Sequence, residues 1–321
     1  VPTVRYLSLF SGIGGFELGL DMAGEELGID FRCVGYSEID KWALRTYERH
    51  FDHRALGDVT QIEPAALPEY DLLVAGFPCQ PFSAAGDRLG FDDARGTLFF
   101  DVARILQHSR PRHFILENVP GLLGHGFGQT FSTIIGVLTR LGYCVEWQVL
   151  DSQDHGIPQS RQRVFLVGHL GGLPQRPVFP IGDNVGRKVD GDPKRSRYGD
   201  RVFDGAVEDT GMMALVRSRQ REGVVWTARS TVTVIDAHYG SGPGYAGNRT
   251  QAGRVDGGVL RIRQLTPLEA ERCQGLPDNW TEGHSRTQRF RQTGNSVVPK
   301  VVSSIILRLY EGQGIEPTYQ P

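Results

Sequence analysis

The chain is poor in cysteine and lysine and has no long apolar run. Its four cysteines, Cys33, Cys79, Cys144 and Cys273, are scattered, with no Cys-x-x-Cys pair and no histidine cluster at ligand spacing. That excludes a disulfide framework and a structural zinc site, so no metal is expected, and it leaves room for a single catalytic thiol. The longest apolar stretches, such as 301–307, fall far short of the roughly 20 residues that a membrane-spanning helix needs. No charged-then-apolar leader precedes the first strand-like segment, so a cytoplasmic protein with no membrane partner is expected. Lysine occurs only at Lys41, Lys188, Lys194 and Lys300, which leaves 31 arginines among the 35 basic residues. Against 37 acidic residues the net charge is −2, which on its face disfavours a nucleic-acid partner. Arginine is, however, the better fork for phosphates and guanine edges.

What is present is a globular composition, 39% hydrophobic and 22% charged, over 321 residues, long enough for one large domain with a smaller companion. The first half alternates strand-like and helix-like segments. Strands are expected at 4–10, 31–36, 71–75, 113–116, 143–150 and 164–167, and helices after the turn at 11–15 and at 40–50, 98–106 and 130–141. Such alternation predicts an α/β fold with a mostly parallel sheet and helices on both faces. From about residue 171 the rhythm breaks into a Pro- and Gly-rich stretch with isolated strand candidates such as 231–235. Residues 174–262 carry 14 basic against 10 acidic residues, and the rest of the chain 21 against 27, so positive charge concentrates in the irregular part. Residues 299–310 regain helical spacing, as though the chain returned to its first domain.

Three features suggest chemistry. The strand-turn-helix at Phe10-Ser11-Gly12-Ile13-Gly14-Gly15 suggests a nucleotide-like ligand at the carboxyl end of the first strand. It does not fit Gly-x-Gly-x-x-Gly, because position 17 is Glu, and a carboxylate there suits a cationic or uncharged ligand better than a pyrophosphate. By itself the turn is equally well a tight structural turn. Glu38 ends the second strand, where an acid commonly meets ribose hydroxyls, and Asp58 ends a short third segment; taken singly, either carboxylate is more often a helix cap or a solvated residue. Cys79 stands between Pro78 and Pro81 just after the strand at 71–75, a placement that favours a nucleophile over core packing. Glu117 would put a carboxylate at the same edge.

In order along the chain, Leu9-Phe10-Ser11-Gly12-Ile13-Gly14-Gly15-Phe16, Phe77-Pro78-Cys79-Gln80-Pro81-Phe82-Ser83, Arg95-Gly96-Thr97-Leu98, Glu117-Asn118-Val119, Gln159-Ser160-Arg161-Gln162-Arg163, the run from Arg263 to Trp280, and Gly294-Asn295-Ser296-Val297 resemble the motif series of the bacterial and phage DNA cytosine-5 methyltransferases. The resemblance implies a Rossmann-like S-adenosylmethionine-dependent methyltransferase fold with a small, irregular, mostly β target-recognition domain. Residues 1–175 and 295–321 would form the catalytic part, and 176–294 the recognition domain and hinge. It implies that Cys79 adds to carbon 6 of a flipped cytosine, that Glu117 holds ring nitrogen 3 and the amino group, and that Arg161 and Arg163 support the base and the thiolate.

For the cofactor, S-adenosyl-L-methionine, it implies Phe10 against the adenine, Gly12, Ile13, Gly14 and Gly15 beside the methionine part, Glu38 on the ribose and Asp58 on the adenine amino group. Ile39, Val59, Pro78 and Leu98 would line the site, and Asn295 and Val297 would close it. The implied partner is double-stranded DNA, with a cognate restriction endonuclease acting separately and the enzyme itself a monomer. Residues 80–96 would be a loop closing over the flipped base. Gln80, Ser83, Arg95, Arg229, Thr231, Tyr239 and Gly240 are the candidates for DNA contact.

Two positions depart from the family pattern. Ser8 stands where the family usually has Asp, and Cys273 where it usually has Leu, the latter reading as a buried hydrophobe. Two alternatives are weaker. A transfer-RNA-modifying relative would carry a Cys-Phe-Thr signature in the later half, which this chain lacks. A non-catalytic DNA-binding relative would have no need of Cys79, Glu117 and Arg163 together.

Overall fold

The computed structural model describes residues 1–78, 98–172, 176–181, 213–220, 223–229, 232–233, 250–256 and 259–311, those within 213–264 as backbone. In chain order the strands and helices are β1 (Thr3–Leu9), α1 (Gly15–Leu27), β2 (Asp30–Ser37), α2 (Lys41–His50), β3 (Leu72–Gly76), α3 (Leu98–Ser109), β4 (His113–Asn118), α4 (Gly121–Gly124), α5 (Gln129–Arg140), β5 (Tyr143–Asp151), β6 (Gln159–Ser160), β7 (Gln162–Leu170), β8 (Met213–Gln220), β9 (Gly223–Arg229), β10 (Val232–Thr233), β11 (Thr250–Asp256), β12 (Val259–Gln264), α6 (Pro267–Gln274), α7 (Arg286–Asn295) and α8 (Pro299–Tyr310). The expected alternation of strands and helices is therefore present.

Six strands form the main sheet in the order β2-β1-β3-β4-β7-β5. Strands β1 to β4 are parallel, and β7 enters antiparallel between β4 and β5. The near-continuous apolar sequences of β3 and β4 follow from burial on both faces, which covering helices impose on a parallel sheet. On one face Phe16, Leu20 and Ala23 of α1 pack with Val301, Val302, Ile305 and Leu309 of α8 against Tyr6, Val74 and Ile115. On the other, Val102 and Leu106 of α3 and Ile134 and Leu138 of α5 pack against Leu7, Leu73 and Leu116. α8, the last described helix, thus packs on the first, α1.

Order reverses between β1 and β3, since the chain passes outward from β1 to β2 and then back across to β3. A doubly wound sheet opens a crevice at such a switch point, outside the carboxyl ends of the strands. The segments that end there are Phe10–Gly15, Glu38, Phe77-Pro78 and Glu117-Asn118, the ones singled out in the sequence.

A second, four-stranded antiparallel sheet has the order β12-β11-β8-β9, and β10 pairs in parallel with β6, just ahead of β7. Only Val232–Thr233 of the expected strand at 231–235 lies within the described residues. α6 starts at a capping box in which Thr266 and Glu269 exchange bonds, with Pro267 at the first helical position.

Candidate active site

Strand β7 is antiparallel to β4, so its first residues come alongside β4's last. Asn118 pairs with Val164 and Glu117 with Phe165 in the register. This lets Arg163, at the start of one strand, meet Glu117, at the end of the other: Nε lies 2.9 Å from Oε1, with the two side chains 16% and 13% exposed. Burial pushes the Glu117 carboxyl above its usual range, and the guanidiniums of Arg163 and Arg161 pull it back. Next to it, the buried Asn118 donates from Nδ2 to the Phe77 carbonyl at 2.9 Å, tying the end of β3 to β4.

Arg161 and Arg163 look like a pair in the sequence, but the structure gives them different surroundings. Arg161 is buried, and its Nη2 donates to the carbonyls of Gly294 and Ser296 at 2.8 and 3.0 Å. It therefore holds the returning segment 294–297 to the sheet edge while acting on Glu117 through its charge. Gln274 adds a bond to the same Ser296 carbonyl at 2.6 Å, and Gln159 bonds Gln274 at 2.8 Å.

The glycine-rich turn is shaped by left-handed backbone at Phe10, Gly12 and Gly14, with φ of 55°, 57° and 88°. Gly12 is the residue type that adopts this conformation at no steric cost, whereas Phe10 is strained there, as residues at functional sites often are. The Gly12 N–H donates to Glu38 Oε2 at 2.9 Å, and the Ile39 and Asp40 N–H groups both donate to Oε1 at 2.8 Å. Glu38 is thus fixed by three backbone amides before any ligand arrives.

A cavity of about 110 Å³ opens beside this turn, lined by Gly12, Ile13, Glu38, Asp40 and Ala43 on one side and Gln288, Arg291, Gln292, Asn295 and Ser296 on the other. The four α7 residues recur at helical spacing, so one face of α7 forms a wall. Gln292 bonds Thr46 of α2 at 2.6 Å. Trp280 donates from Nε1 to the Ile13 carbonyl at 2.8 Å and stacks on His50 with ring centres 3.6 Å apart. Behind these, Glu271 is fully buried and bonded by Arg289 at 2.9 Å and by the Thr281 N–H at 2.9 Å. Asp40, Arg291 and Gln292 carry no motif signal in the sequence, and Trp280 ends a motif run without a role attached to it.

Of the expected cofactor residues, Gly12, Ile13, Glu38 and Asn295 share the cavity, with Gly14 and Gly15 in its turn. Phe10, Val59 and Leu98 meet instead in the apolar cluster on the α3 face. Ile39 is 70% exposed, and Pro78 and Asp58 are exposed at the sheet edge, Asp58 accepting from the Thr60 N–H at 2.9 Å. Val297 packs inward beside Phe16. Cys79, Gln80, Ser83, Arg95, Thr231, Tyr239 and Gly240 lie outside the described residues, as does the expected closing loop, and of Arg229 the structure gives the backbone in β9.

Directly beneath the turn, Glu17 is completely buried and burial raises its carboxyl to about 7, with the hydroxyls of Ser8 and Tyr47 pulling the other way. Tyr47 bonds both Glu17 and His53 Nδ1 at 2.9 Å. An Asp at position 8 would add a second carboxylate to this dry site, where like charges resist ionising together. The small, neutral Ser8 fits there and bonds Ser11 of the turn at 2.9 Å. Burial lifts the thiols of Cys33 and Cys273 to about 12, so neither is a nucleophile near neutral pH.

The C-5 cytosine-specific DNA methylase family model matches residues 4–209 and 218–311. The chain is 38% identical to the Type II methyltransferase M.NlaX of Neisseria lactamica, over 94% of each chain. It is 32% identical to the Type II methyltransferase M.HhaI of Haemophilus parahaemolyticus, over 98% of this chain and 96% of that one. Among solved structures it is similar to a DNMT2 mutant of Spodoptera frugiperda, with a TM-score of 0.67 and 21% identity, covering 96% of this chain and 100% of that one.

Proposed function

Because the chain belongs to the C-5 cytosine-specific DNA methylases, matched over nearly its whole length, we propose that it methylates a cytosine flipped out of duplex DNA, through a covalent bond between Cys79 and carbon 6. Carbon 5 of cytosine is a weak nucleophile while the ring is aromatic; thiolate addition at carbon 6 turns it into an enamine carbon. Glu117 makes that addition possible by meeting ring nitrogen 3. Burial pushes its carboxyl up, which favours the protonated form that addition at carbon 6 calls for, and Arg163 fixes its orientation from 2.9 Å. That buried pair at the switch-point edge is the observation that carries the proposal. Loss of the carbon 5 proton and expulsion of Cys79 restore the aromatic ring.

The cavity suits S-adenosyl-L-methionine, which when bound supplies an electrophilic methyl group on a sulfonium. Three amides occupy three of the about four lone-pair sites of the Glu38 carboxylate, leaving capacity for a ribose hydroxyl. The absence of a phosphate-binding glycine pattern and the acidic surroundings of the turn favour a cationic ligand over a dinucleotide. Phe10, Asp58, Val59, Pro78 and Leu98 along the same edge would serve its adenine.

We assign catalysis to residues 1–175 and 295–321 and target recognition to 176–294, within which 265–294 also pack on the cofactor turn through Trp280 and α7. DNA contact is assigned to Gln80, Ser83, Arg95, Arg229, Thr231, Tyr239 and Gly240. The Type II designation of the relatives supports a restriction-modification role with a separate endonuclease; we assign the enzyme to the cytoplasm, as a monomer. No helix among the described residues is long and apolar enough to cross a membrane.

Duplex DNA carrying 5-fluorocytosine tests the covalent step, because fluorine cannot leave as the carbon 5 proton does. With cofactor present, the protein should form a denaturant-resistant DNA complex, and Cys79→Ser should form none. An adduct that survives Cys79→Ser would assign the nucleophile elsewhere, and no adduct with protein shown to bind cofactor would remove the covalent mechanism.

A further inference from the structure

The cavity beside the turn holds more charged side chains than ribose binding requires. Glu38 is engaged by backbone amides, and two more charged side chains, Asp40 and Arg291, face the same space. Asp40 divides its carboxylate: Oδ1 accepts from the Trp42 and Ala43 N–H groups at 2.9 and 3.1 Å and so caps α2, while Oδ2 meets Arg291 Nη2 at 3.3 Å. The capped helix therefore fixes the acid, and the acid in turn orients a half-exposed guanidinium. One contact to Asp40 leaves most of the five donors of that guanidinium available.

Two carboxylates and one guanidinium give the lining a formal charge of −1, if His and amide groups count as neutral. S-adenosylmethionine carries a sulfonium, an α-ammonium and an α-carboxylate, a net charge of +1. The space, about 110 Å³, exceeds the roughly 10–15 Å³ that one water needs and has room for the small polar head of an amino acid. Among the lining residues Arg291 is the cation, and a carboxylate is the group that an arginine fork recognises best.

We propose that Arg291, oriented by Asp40, binds the α-carboxylate of the cofactor's amino-acid end and makes the enzyme selective for cofactors that keep that group. Asp40 is a positioning residue whose charge also favours the α-ammonium. The inference rests on the cofactor reading above. It adds a specificity determinant on α7, a helix that the sequence pattern does not reveal.

The test is equilibrium binding of S-adenosylmethionine and of decarboxylated S-adenosylmethionine to wild type, Arg291→Gln and Arg291→Lys, each first shown by circular dichroism to be folded. Wild type should prefer the intact cofactor. Arg291→Gln should lose about tenfold to a hundredfold for the intact cofactor, the scale of a charge-assisted hydrogen bond. It should leave the decarboxylated compound's affinity unchanged or raise it, since the lining then becomes more negative. Arg291→Lys should fall between. Equal losses for both compounds would mean that Arg291 only shapes the cavity, and no loss for either would free it of any role; both outcomes overturn the inference. Wild type that binds neither compound would overturn the cofactor reading itself.

Discussion

Arg163→Ala is expected to slow methyl transfer on duplex DNA by about a hundredfold to a thousandfold, the usual cost of removing one preorganised electrostatic partner, with cofactor affinity nearly unchanged. The guanidinium is 2.9 Å from Glu117, and the pair is mostly shielded from water. Removing it leaves a buried carboxyl without its closest cation, and burial then drives that carboxyl further toward the neutral form. It then loses the orientation that aims it at the ring. Single-turnover rates with a labelled methyl donor separate this from binding. Arg163→Lys, with a point charge in place of a fork, should recover only part of the rate. A variant with an unchanged rate would show that Glu117 acts without its partner.

Gly15→Ala is expected to cost about 1–3 kcal/mol of stability, the range for overpacking a close contact, and to weaken cofactor binding as well. A Cβ built at Gly15 would lie 2.7 Å from both Ser296 Oγ and the Val297 carbonyl, and 2.8 Å from Val297 Cγ1. Part of that obstacle is backbone, so the segment that Arg161 and Gln274 hold in place must move. Ser296 and Asn295 line the cavity, so the displacement reaches the ligand. Denaturant unfolding and binding of S-adenosylhomocysteine measure the two effects. At Gly12, where nothing lies within 4 Å of a built Cβ, alanine should act only through the left-handed backbone it resists, at φ of 57°.

The parts of the site that hydrophobic rhythm and sequence motifs reveal are those carried by the sheet. Strands β1, β3 and β4 hold buried apolar residues and end in chemistry, and β2 ends at Glu38, so Phe10–Gly15, Glu38 and Glu117 can be placed at one edge from the sequence. The direction of β7 is not legible, because an apolar run reads the same in either orientation; yet that direction is what joins Arg163 to Glu117. α7 is hidden for a different reason. Its cavity-lining residues, Gln288, Arg291, Gln292 and Asn295, are all polar, and its buried positions, Phe290, Gln292, Thr293 and Gly294, hold one large apolar side chain, so the helix gives no apolar stripe. Arg161 and Arg163 carry the same residue type two positions apart, and only packing tells that one clamps backbone carbonyls while the other meets a carboxylate. The whole-chain charge of −2 likewise conceals the excess of basic residues at 174–262 and the acid-lined turn.

The most direct measurement is mass spectrometry of nucleosides from duplex DNA and, separately, transfer RNA, each incubated with the protein and S-adenosylmethionine bearing a deuterated methyl group. The account predicts labelled 5-methyldeoxycytidine from the duplex, and its loss with Cys79→Ser. Label on an exocyclic nitrogen, on adenine, or in the transfer RNA alone would contradict it.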